Sequence, residues 1–281
     1  MLVMVAWGAT PVVTRLALEG ISPALVAVGR TVLAGLLAAP LLAAMRQPLP
    51  PRGRPRSLLV ASAVTGFVVF PVLFTLGQGR TSAMHGAMIL ASLPVFTGLY
   101  AALASRRRPA RRWAAGCAVA LAGEAVIIGV RLGSAGGDPT VSGDLLVLAA
   151  GLAVSAGYVA GARLTGTGYP ALATTFWGAT IGTILLLPVG VVLLAADGLP
   201  HAGAVSWLAL LFLAVVTSVL GYVGWYWALA HGGIVRIGTL QFLQPLSGLA
   251  LAALVLDERL TLPLAVGTVA ILAGVTIAQR T

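Results

Sequence analysis

Charged side chains are scarce in this chain, and lysine and asparagine are missing altogether. Only 9% of the 281 residues are charged, whereas a soluble domain carries about 25% because its surface faces water. This composition excludes a soluble globular domain. The single cysteine, Cys117, lies inside an apolar run, which excludes disulfide frameworks and cysteine-based metal sites. The absence of lysine also excludes the Gly-x-x-x-x-Gly-Lys phosphate loop of ATP-driven pumps.

Long apolar runs make up most of the sequence. Hydrophobic residues make up 59% of the chain, and the mean hydropathy is +1.03. The runs are about 20 residues long, the length that a helix needs to cross the hydrocarbon core, and they lack the period-two alternation of strands. The sequence therefore predicts an all-α membrane protein with about ten transmembrane helices, near residues 1–18, 23–45, 57–77, 82–104, 113–130, 143–163, 170–195, 205–229, 233–256 and 262–279.

The basic residues are all arginine, and they give the protein a net charge of +10. A basic protein often binds nucleic acid, but these arginines lie between apolar runs, so no nucleic-acid partner is expected. With ten spans, twelve arginines fall on one side of the lipid bilayer and three on the other. Because positive residues stay in the cytoplasm, we expect a multi-pass protein of the bacterial inner membrane with both termini in the cytoplasm.

An internal repeat organises the apolar runs. At an offset of 151 residues, helix-shaping residues of the two halves coincide, namely Pro94 with Pro245, Gly116 with Gly267 and Gly123 with Gly274. We therefore predict two five-helix repeats, residues 1–131 and 143–281. Because five is odd, the second repeat must enter the membrane inverted. Inverted repeats are the plan of secondary transporters, in which the substrate site lies between the halves near the midplane.

Short motifs along the chain carry a family resemblance. They are Trp7-Gly8, Ile21-Ser22-Pro23 followed by Arg30, Ser92-Leu93-Pro94-Val95-Phe96, Gly143-Asp144-Leu145, Gln244-Pro245, and Asp257-Glu258-Arg259-Leu260 leading into Gly267 and Gly274. Over nearly the whole chain this pattern resembles the EamA family of the drug/metabolite transporter superfamily. The run Ser105-Arg106-Arg107-Arg108 departs from the family, which usually has a Gly-Glu-type turn there. The resemblance implies carriers, often exporters, of amino acids or other metabolites, without implying a particular substrate.

Polar groups deep in the spans mark the candidate substrate site. Arg30 lies about 12 Å below the outer interface at about 1.5 Å per residue, where a charge usually faces protein or water. It either binds an anionic substrate group or bonds to carbonyls of neighbouring helices, and the sequence favours neither. Gln241 and Gln244 share one helix face, where ligand contact and interhelical bonding are equally open. We expect one central cavity lined by the first four spans of each half, with the substrate-binding residues Trp7, Thr10, Arg30, Ser92, Pro94, Tyr158, Trp177, Gln241 and Gln244.

Other polar and aromatic residues favour structural roles. Glu124, near mid-depth in the fifth span, is expected to be a neutral or paired residue at a helix contact, with proton coupling as the alternative. Tyr222, Trp225 and Tyr226 form one face near the cytoplasmic end, which favours an aromatic belt over a cage for a cationic or aromatic substrate. His85 is expected to cap a helix end at the interface rather than act as a gating charge. The glycine-rich faces of the fifth and tenth spans suit close helix packing.

Secondary transport is the leading functional hypothesis, with export of small metabolites such as amino acids or drug-like compounds by alternating access. A membrane-embedded enzyme is the rival from another class. It would need metal ligands or a nucleophile–base pair, and the chain has neither His-Glu-x-x-His nor Gly-x-Ser-x-Gly. A structural or sensor protein is a further alternative. No cofactor is expected, and the sequence leaves the substrate, the coupling ion and the oligomeric state open.

Overall fold

A computed structural model describes residues 2–106, 110–132, 140–238 and 243–279 of the chain. Within these ranges the regular structure is helical, without a strand, and it groups into ten helical stretches. These are α1 (Leu2–Leu18), α2 (Pro23–Ala44), α3 (Arg54–Gln78), α4 (Ala83–Ser105), α5 (Arg111–Leu132), α6 (Thr140–Thr165), α7 (Ala171–Asp197), α8 (204–238), α9 (Leu243–Leu256) and α10 (Leu262–Gln279).

Serine and proline set where α2 and α4 begin. Ser22 is extended, and its Oγ accepts a hydrogen bond from Leu25 N at 3.4 Å. Pro23 follows in the first turn, where the N–H that proline lacks has no partner in any helix. At the start of α4, Ser82 Oγ accepts a hydrogen bond from His85 N at 3.2 Å. Both helices therefore begin within one residue of the positions that the sequence predicts.

Six of the helices, α2, α3, α4, α6, α7 and α8, are long and apolar enough to cross a membrane. Shorter apolar helices cover Leu2–Leu18, Leu243–Leu256 and Leu262–Ala278. The protein is therefore a multi-pass α-helical membrane protein, and the prediction of an all-helical membrane fold is confirmed. The count of ten spans stays a prediction.

One predicted boundary is wrong. The sequence places a break near residues 230–232, between the predicted spans 205–229 and 233–256. The structure instead continues α8 through Gly232 and Gly233 to residue 238, and α9 begins at Leu243. Glycine is frequent inside membrane-spanning helices, where it interrupts helical structure less than in water. The Gly-Gly pair is therefore not a helix stop here.

Two helices contain a π-helical turn, Val64–Val69 in α3 and Leu213–Leu220 in α8. A π turn disturbs the regular ladder of backbone hydrogen bonds. Backbone carbonyls in these turns accept hydrogen bonds from side chains of other helices, namely Gly66 O from Tyr222, Phe67 O from Thr31 and Thr217 O from Trp7. At the offset of 151 residues the two turns overlap, so the same irregularity occurs at matching places in the two halves.

Glycines let α5 and α10 pack backbone against backbone. A methyl group added at Gly123 would lie 2.7 Å from Gly267 O, and one added at Gly267 would lie 2.8 Å from Gly123 O. Gly116 and Gly274 oppose each other in the same way. The prediction that these glycines serve close helix packing is confirmed. The side chain of Glu124, also on α5, lies outside the described part of the chain, so its role stays a prediction.

Small residues also bring α2 and α7 together. Thr183 Oγ1 donates a hydrogen bond to Thr31 O at 2.9 Å. A methyl group added at Gly35 would lie 2.8 Å from Ala179 O. These contacts hold the two helices close along the middle of their length, which fixes the position of the α2 residues that face inward.

The aromatic face of α8 points into the protein. Tyr222, Trp225 and Tyr226 are 4%, 2% and 0% exposed, so the prediction of an interfacial aromatic belt is wrong. Belt residues keep their polar tips at the headgroups, whereas here the two tyrosine hydroxyls find partners on α3. The hydroxyl of Tyr226 lies 2.7 Å from Ser62 Oγ, and the hydroxyl of Tyr222 donates to Gly66 O at 3.1 Å. These residues form the central core together with α1 and α6.

Candidate substrate cavity

A small cavity lies where α1, α2, α3, α4, α6, α8 and α9 meet. Its volume is about 20 Å³, close to the space that one water molecule needs. One cationic residue, several hydroxyl and ring groups and one amide line it, namely Arg30, Thr10, Thr217, Tyr158, Tyr222, Trp7, Phe70, Gln244, Leu90 and Leu93. A metabolite would not fit in this conformation, so its entry would require the lining helices to separate.

Arg30 supplies the charge of the cavity. It is 2% exposed, and its Nη2 donates hydrogen bonds to Thr217 Oγ1 at 3.0 Å and Ser218 Oγ at 3.4 Å. Its Nε and Nη1 are buried without a hydrogen-bond partner among the described residues. The guanidinium carbon lies 5.9 Å from the ring centroid of Phe70. In the described part of the chain no carboxylate pairs with Arg30, so its charge is buried without compensation.

Packed aromatic rings form part of the cavity wall. Trp7 lies parallel to Tyr158, with ring centroids 5.5 Å apart and an interplanar angle of 11°. Tyr222 meets Trp7 edge to face at 5.5 Å, and Trp225 lies 5.6 Å from Trp7. Trp7 Nε1 also donates to Thr217 O at 2.9 Å. Because each ring contacts several others, the wall has a defined shape before any ligand binds.

Five of the predicted substrate-binding residues line this cavity, namely Trp7, Thr10, Arg30, Tyr158 and Gln244. Ser92 is fully buried, but its Oγ donates to Ile89 O at 2.8 Å, and neither Ser92 nor the half-buried Pro94 lines the cavity. A tight 3-10 turn at Leu90–Ser92 turns Leu90 and Leu93 toward the cavity instead. That these residues bind substrate stays a prediction.

One other predicted site residue lies away from this cavity. Trp177, on α7, is half-buried, and its Nε1 donates to Gln47 O at 3.3 Å in the segment after α2. It therefore lies near a helix end and away from the central cavity. Gln241 lies outside the described residues.

Thr217 and Ser218, the hydroxyl partners of Arg30, were not among the residues predicted from the sequence. Hydroxyls in membrane helices commonly bond to the carbonyl one turn earlier, and Thr217 Oγ1 does donate to Leu213 O at 2.7 Å. The π turn directs the same oxygen toward Arg30. The available signal was the adjacent pair of hydroxyls in an otherwise apolar stretch of the eighth span.

The start of α4 also differs from expectation. His85 was expected to be an interfacial cap, yet its side chain is buried, with 8% exposure, and its Nδ1 lies 3.4 Å from Asp144 Oδ2. The capping is done by Ser82 and by Glu258, whose carboxylate accepts from two backbone N–H groups of α4. The prediction fails because the pairing joins residues distant in sequence, which helix periodicity does not reveal.

Known proteins resemble this chain along its whole length. It is 31% identical over 279 residues to the "Uncharacterized transporter YdeK" of Bacillus subtilis, with 99% of this chain and 94% of that protein covered. It is 30% identical to the "Probable amino-acid metabolite efflux pump" of Salmonella typhimurium, with 99% and 92% covered. It is 27% identical to the "Probable terminal-alkyne amino-acid exporter" of Streptantibioticus cattleyicolor, with 99% and 91% covered.

Fold and family comparisons agree with this similarity. A solved crystal structure, 18% identical in sequence, matches with a TM-score of 0.65 and covers 98% of this chain and 93% of that chain. That match shows the fold alone. The EamA-like transporter family matches residues 1–129 and again residues 141–279. The resemblance found in the sequence motifs is therefore confirmed, and the chain belongs to the EamA-like transporter family.

Proposed function

We propose that this protein is a secondary transporter that exports a small carboxylate-bearing metabolite, such as an amino acid, through the cavity around Arg30. Family membership supports transport rather than enzymatic chemistry. The names of two relatives, an amino-acid metabolite efflux pump and a terminal-alkyne amino-acid exporter, support amino-acid-like cargo. Drug-like compounds are the alternative cargo class.

The observation that carries the proposal is the uncompensated charge of Arg30. Burying a cation without a counter-charge costs several kcal/mol of folding free energy. The idealised cost of moving an ion from water into a medium of low dielectric constant is about 20 kcal/mol. A substrate carboxylate would supply the missing charge and accept hydrogen bonds from the guanidinium, whose planar fork matches its geometry. Thr217 accepts a hydrogen bond from one side of the guanidinium, so the other N–H groups of Arg30 are available to an anion.

The other lining residues suit the remainder of such a molecule. Trp7, Tyr158 and Tyr222 present ring faces, which accept either an ammonium group by a cation–π interaction or an apolar side chain. Gln244 adds an amide that can donate and accept hydrogen bonds. The site therefore combines an anion partner with an aromatic wall, as an amino-acid-like molecule requires.

We further propose ten spans in two inverted halves, residues 1–131 and 143–281. Gly123 contacts Gly267, and Gly116 contacts Gly274. At the offset of 151 residues Gly123 corresponds to Gly274 and Gly116 to Gly267, so each contact is the repeat counterpart of the other, which supports this arrangement. The overlapping π turns support it too. The arginine distribution supports an inner-membrane location with both termini in the cytoplasm. The partners are then the lipid bilayer and a small-molecule substrate.

Alternating access would require this cavity to widen. With a volume of about 20 Å³, it is too small to hold a metabolite. Opening requires helix segments to move relative to each other. The 3-10 turn before Pro94 and the π turns in α3 and α8 are places where the backbone ladder is already interrupted, so bending there disrupts few hydrogen bonds.

The test begins with a growth screen. Overexpressing cells are challenged with toxic amino-acid analogues and drugs, and a protected compound is then measured by counterflow in proteoliposomes. Arg30→Lys keeps the charge but loses the planar fork, so KM should rise. Arg30→Ala removes both and should lose more transport. Membrane abundance is measured for each variant.

Arg15 provides the matched control. It also lies within a predicted span, but it does not line the cavity, and its Nη1 donates to Gln78 O at 3.1 Å. Arg15→Lys should therefore transport with the parent KM. Unchanged kinetics in Arg30→Ala at normal abundance would refute the binding role and leave Arg30 as a structural residue. Absence of counterflow for every protected compound would favour a sensor or structural protein.

A further inference from the structure

Two carboxylates from the second half hold the N-terminal end of α4. Glu258, after α9, accepts hydrogen bonds from Ala83 N at 2.8 Å and Met84 N at 2.7 Å. Asp144, in the first turns of α6, accepts a hydrogen bond from Thr81 Oγ1. The free N–H groups at a helix start carry partial positive charge, which favours nearby carboxylates. This end of α4 is therefore fastened to α6 and to the segment between α9 and α10.

A histidine faces the second of these carboxylates. His85 Nδ1 lies 3.4 Å from Asp144 Oδ2, and neither atom has a hydrogen bond to another described residue. Asp144 is fully buried. Beside a neutral imidazole, a buried carboxylate leaves a net negative charge, whereas a protonated imidazole neutralises it through a charge-assisted hydrogen bond. The strength of this contact therefore depends on one proton.

We propose that His85 and Asp144 form a proton-dependent latch on the outer gate of the transporter. With His85 protonated, the latch holds α4 against α6 and closes the cavity to the outside. Loss of the proton from His85 weakens the latch and lets the outer ends of α4 and α6 separate. The proposal rests on the proposed function and orientation, which place the start of α4 at the outer surface.

Other charged groups near the pair leave this dependence intact. Arg80, at the end of α3, is exposed. Arg15, on α1, donates to Gln78 O, and Glu258 is engaged by backbone N–H groups of α4. Arginine keeps its charge in the physiological range, so neither arginine takes up or releases the proton of the latch. The proton that decides the latch is therefore shared by His85 and its carboxylate partner.

The experiment measures access to the cavity from outside. Thr10 lines the cavity, and Thr10→Cys in a Cys117→Ser background places one thiol there. Intact cells are treated with an impermeant maleimide, and the labelling rate is divided by that of Leu199→Cys, in an exposed loop, to remove the intrinsic pH dependence of thiols. The ratio should rise about tenfold from about pH 5.5 to about pH 8. Losing one hydrogen bond to a charged group shifts an equilibrium between closed and open states by about that factor.

Two variants and one matched control decide the proposal. His85→Gln and Asp144→Asn should each give a ratio independent of pH. His201→Gln, which changes an exposed histidine in the loop before α8, should keep the parent profile. A pH-independent parent, or a parent-like profile in either variant that reaches the membrane, overturns the latch. Counterflow is measured separately on the protein without the introduced cysteine, because Thr10 itself lines the cavity. If the Thr10→Cys variant labels with the expected profile but the protein without it transports nothing, the latch stands and the proposed function is overturned.

Discussion

Replacing Gly123 with alanine tests how α5 and α10 hold together. The added methyl would lie 2.7 Å from Gly267 O and 2.9 Å from both Ala270 Cβ and Ile271 N. Two of these atoms belong to the backbone, so the helices themselves would have to move apart. Overpacking of this kind costs about 1–3 kcal/mol, while alanine gains about 1 kcal/mol of helix propensity over glycine. We therefore expect a net loss of up to about 2 kcal/mol of stability.

The chain carries its own reporter for this measurement. Cys117 is the only cysteine, lies on the same helix as Gly123 and is 7% exposed. Its labelling by a thiol-reactive dye during heating of the purified protein reports separation of α5 from α10, and it should occur at a lower temperature in Gly123→Ala. Gly151→Ala is the matched control, because its nearest neighbours would lie 3.7 Å away, an ordinary contact distance. Equal stability of the two variants would refute the close-packing argument.

Three further results follow from the site and the orientation. Thr217→Val removes the hydroxyl that holds Arg30 at 3.0 Å, and KM in counterflow should rise about tenfold, while Thr217→Ser should keep the parent value. Cysteines introduced into residues 106–112 should resist an impermeant thiol reagent in intact cells, whereas one beside Asp257 should react; the opposite pattern would contradict the proposed orientation. Glu124→Gln should retain substantial transport, and its loss at normal abundance would assign Glu124 a coupling role.

Hydrophobic run length predicted the helices because lipid leaves the backbone few alternatives to helical hydrogen bonding. Polar or amphipathic side chains deep in a span must face protein or water, so Trp7, Arg30 and Gln244 were predicted to line the cavity. All three line one cavity. Burial in a membrane protein thus follows from the sequence when a residue is both polar and distant from a span end.

The remaining features depend on information that periodicity does not contain. Thr217 in the π turn of α8 and Tyr222 just after it, five residues apart, both line the cavity, whereas the aromatic belt was expected because Tyr222 lies near the cytoplasmic end of the predicted span. The pairing of His85 with Asp144 joins two helices whose relative rotation is set by tertiary packing. Such contacts become visible only when the helices are placed against each other.

The π turns in α3 and α8 also bear on how these helices tolerate a change in length. A π turn accommodates one residue more than a regular helical turn, so deleting one residue from Val64–Val69 would restore an uninterrupted α-helix. Because the π turn already absorbs the extra residue, Phe70 and the residues beyond it would keep their direction toward the cavity. The carbonyls that the turn presents to other helices, Gly66 O to Tyr222 and Phe67 O to Thr31, would instead return to the α-helical ladder. A change of a single residue in length would thus weaken the contacts of α3 with its neighbours while leaving the cavity wall in place.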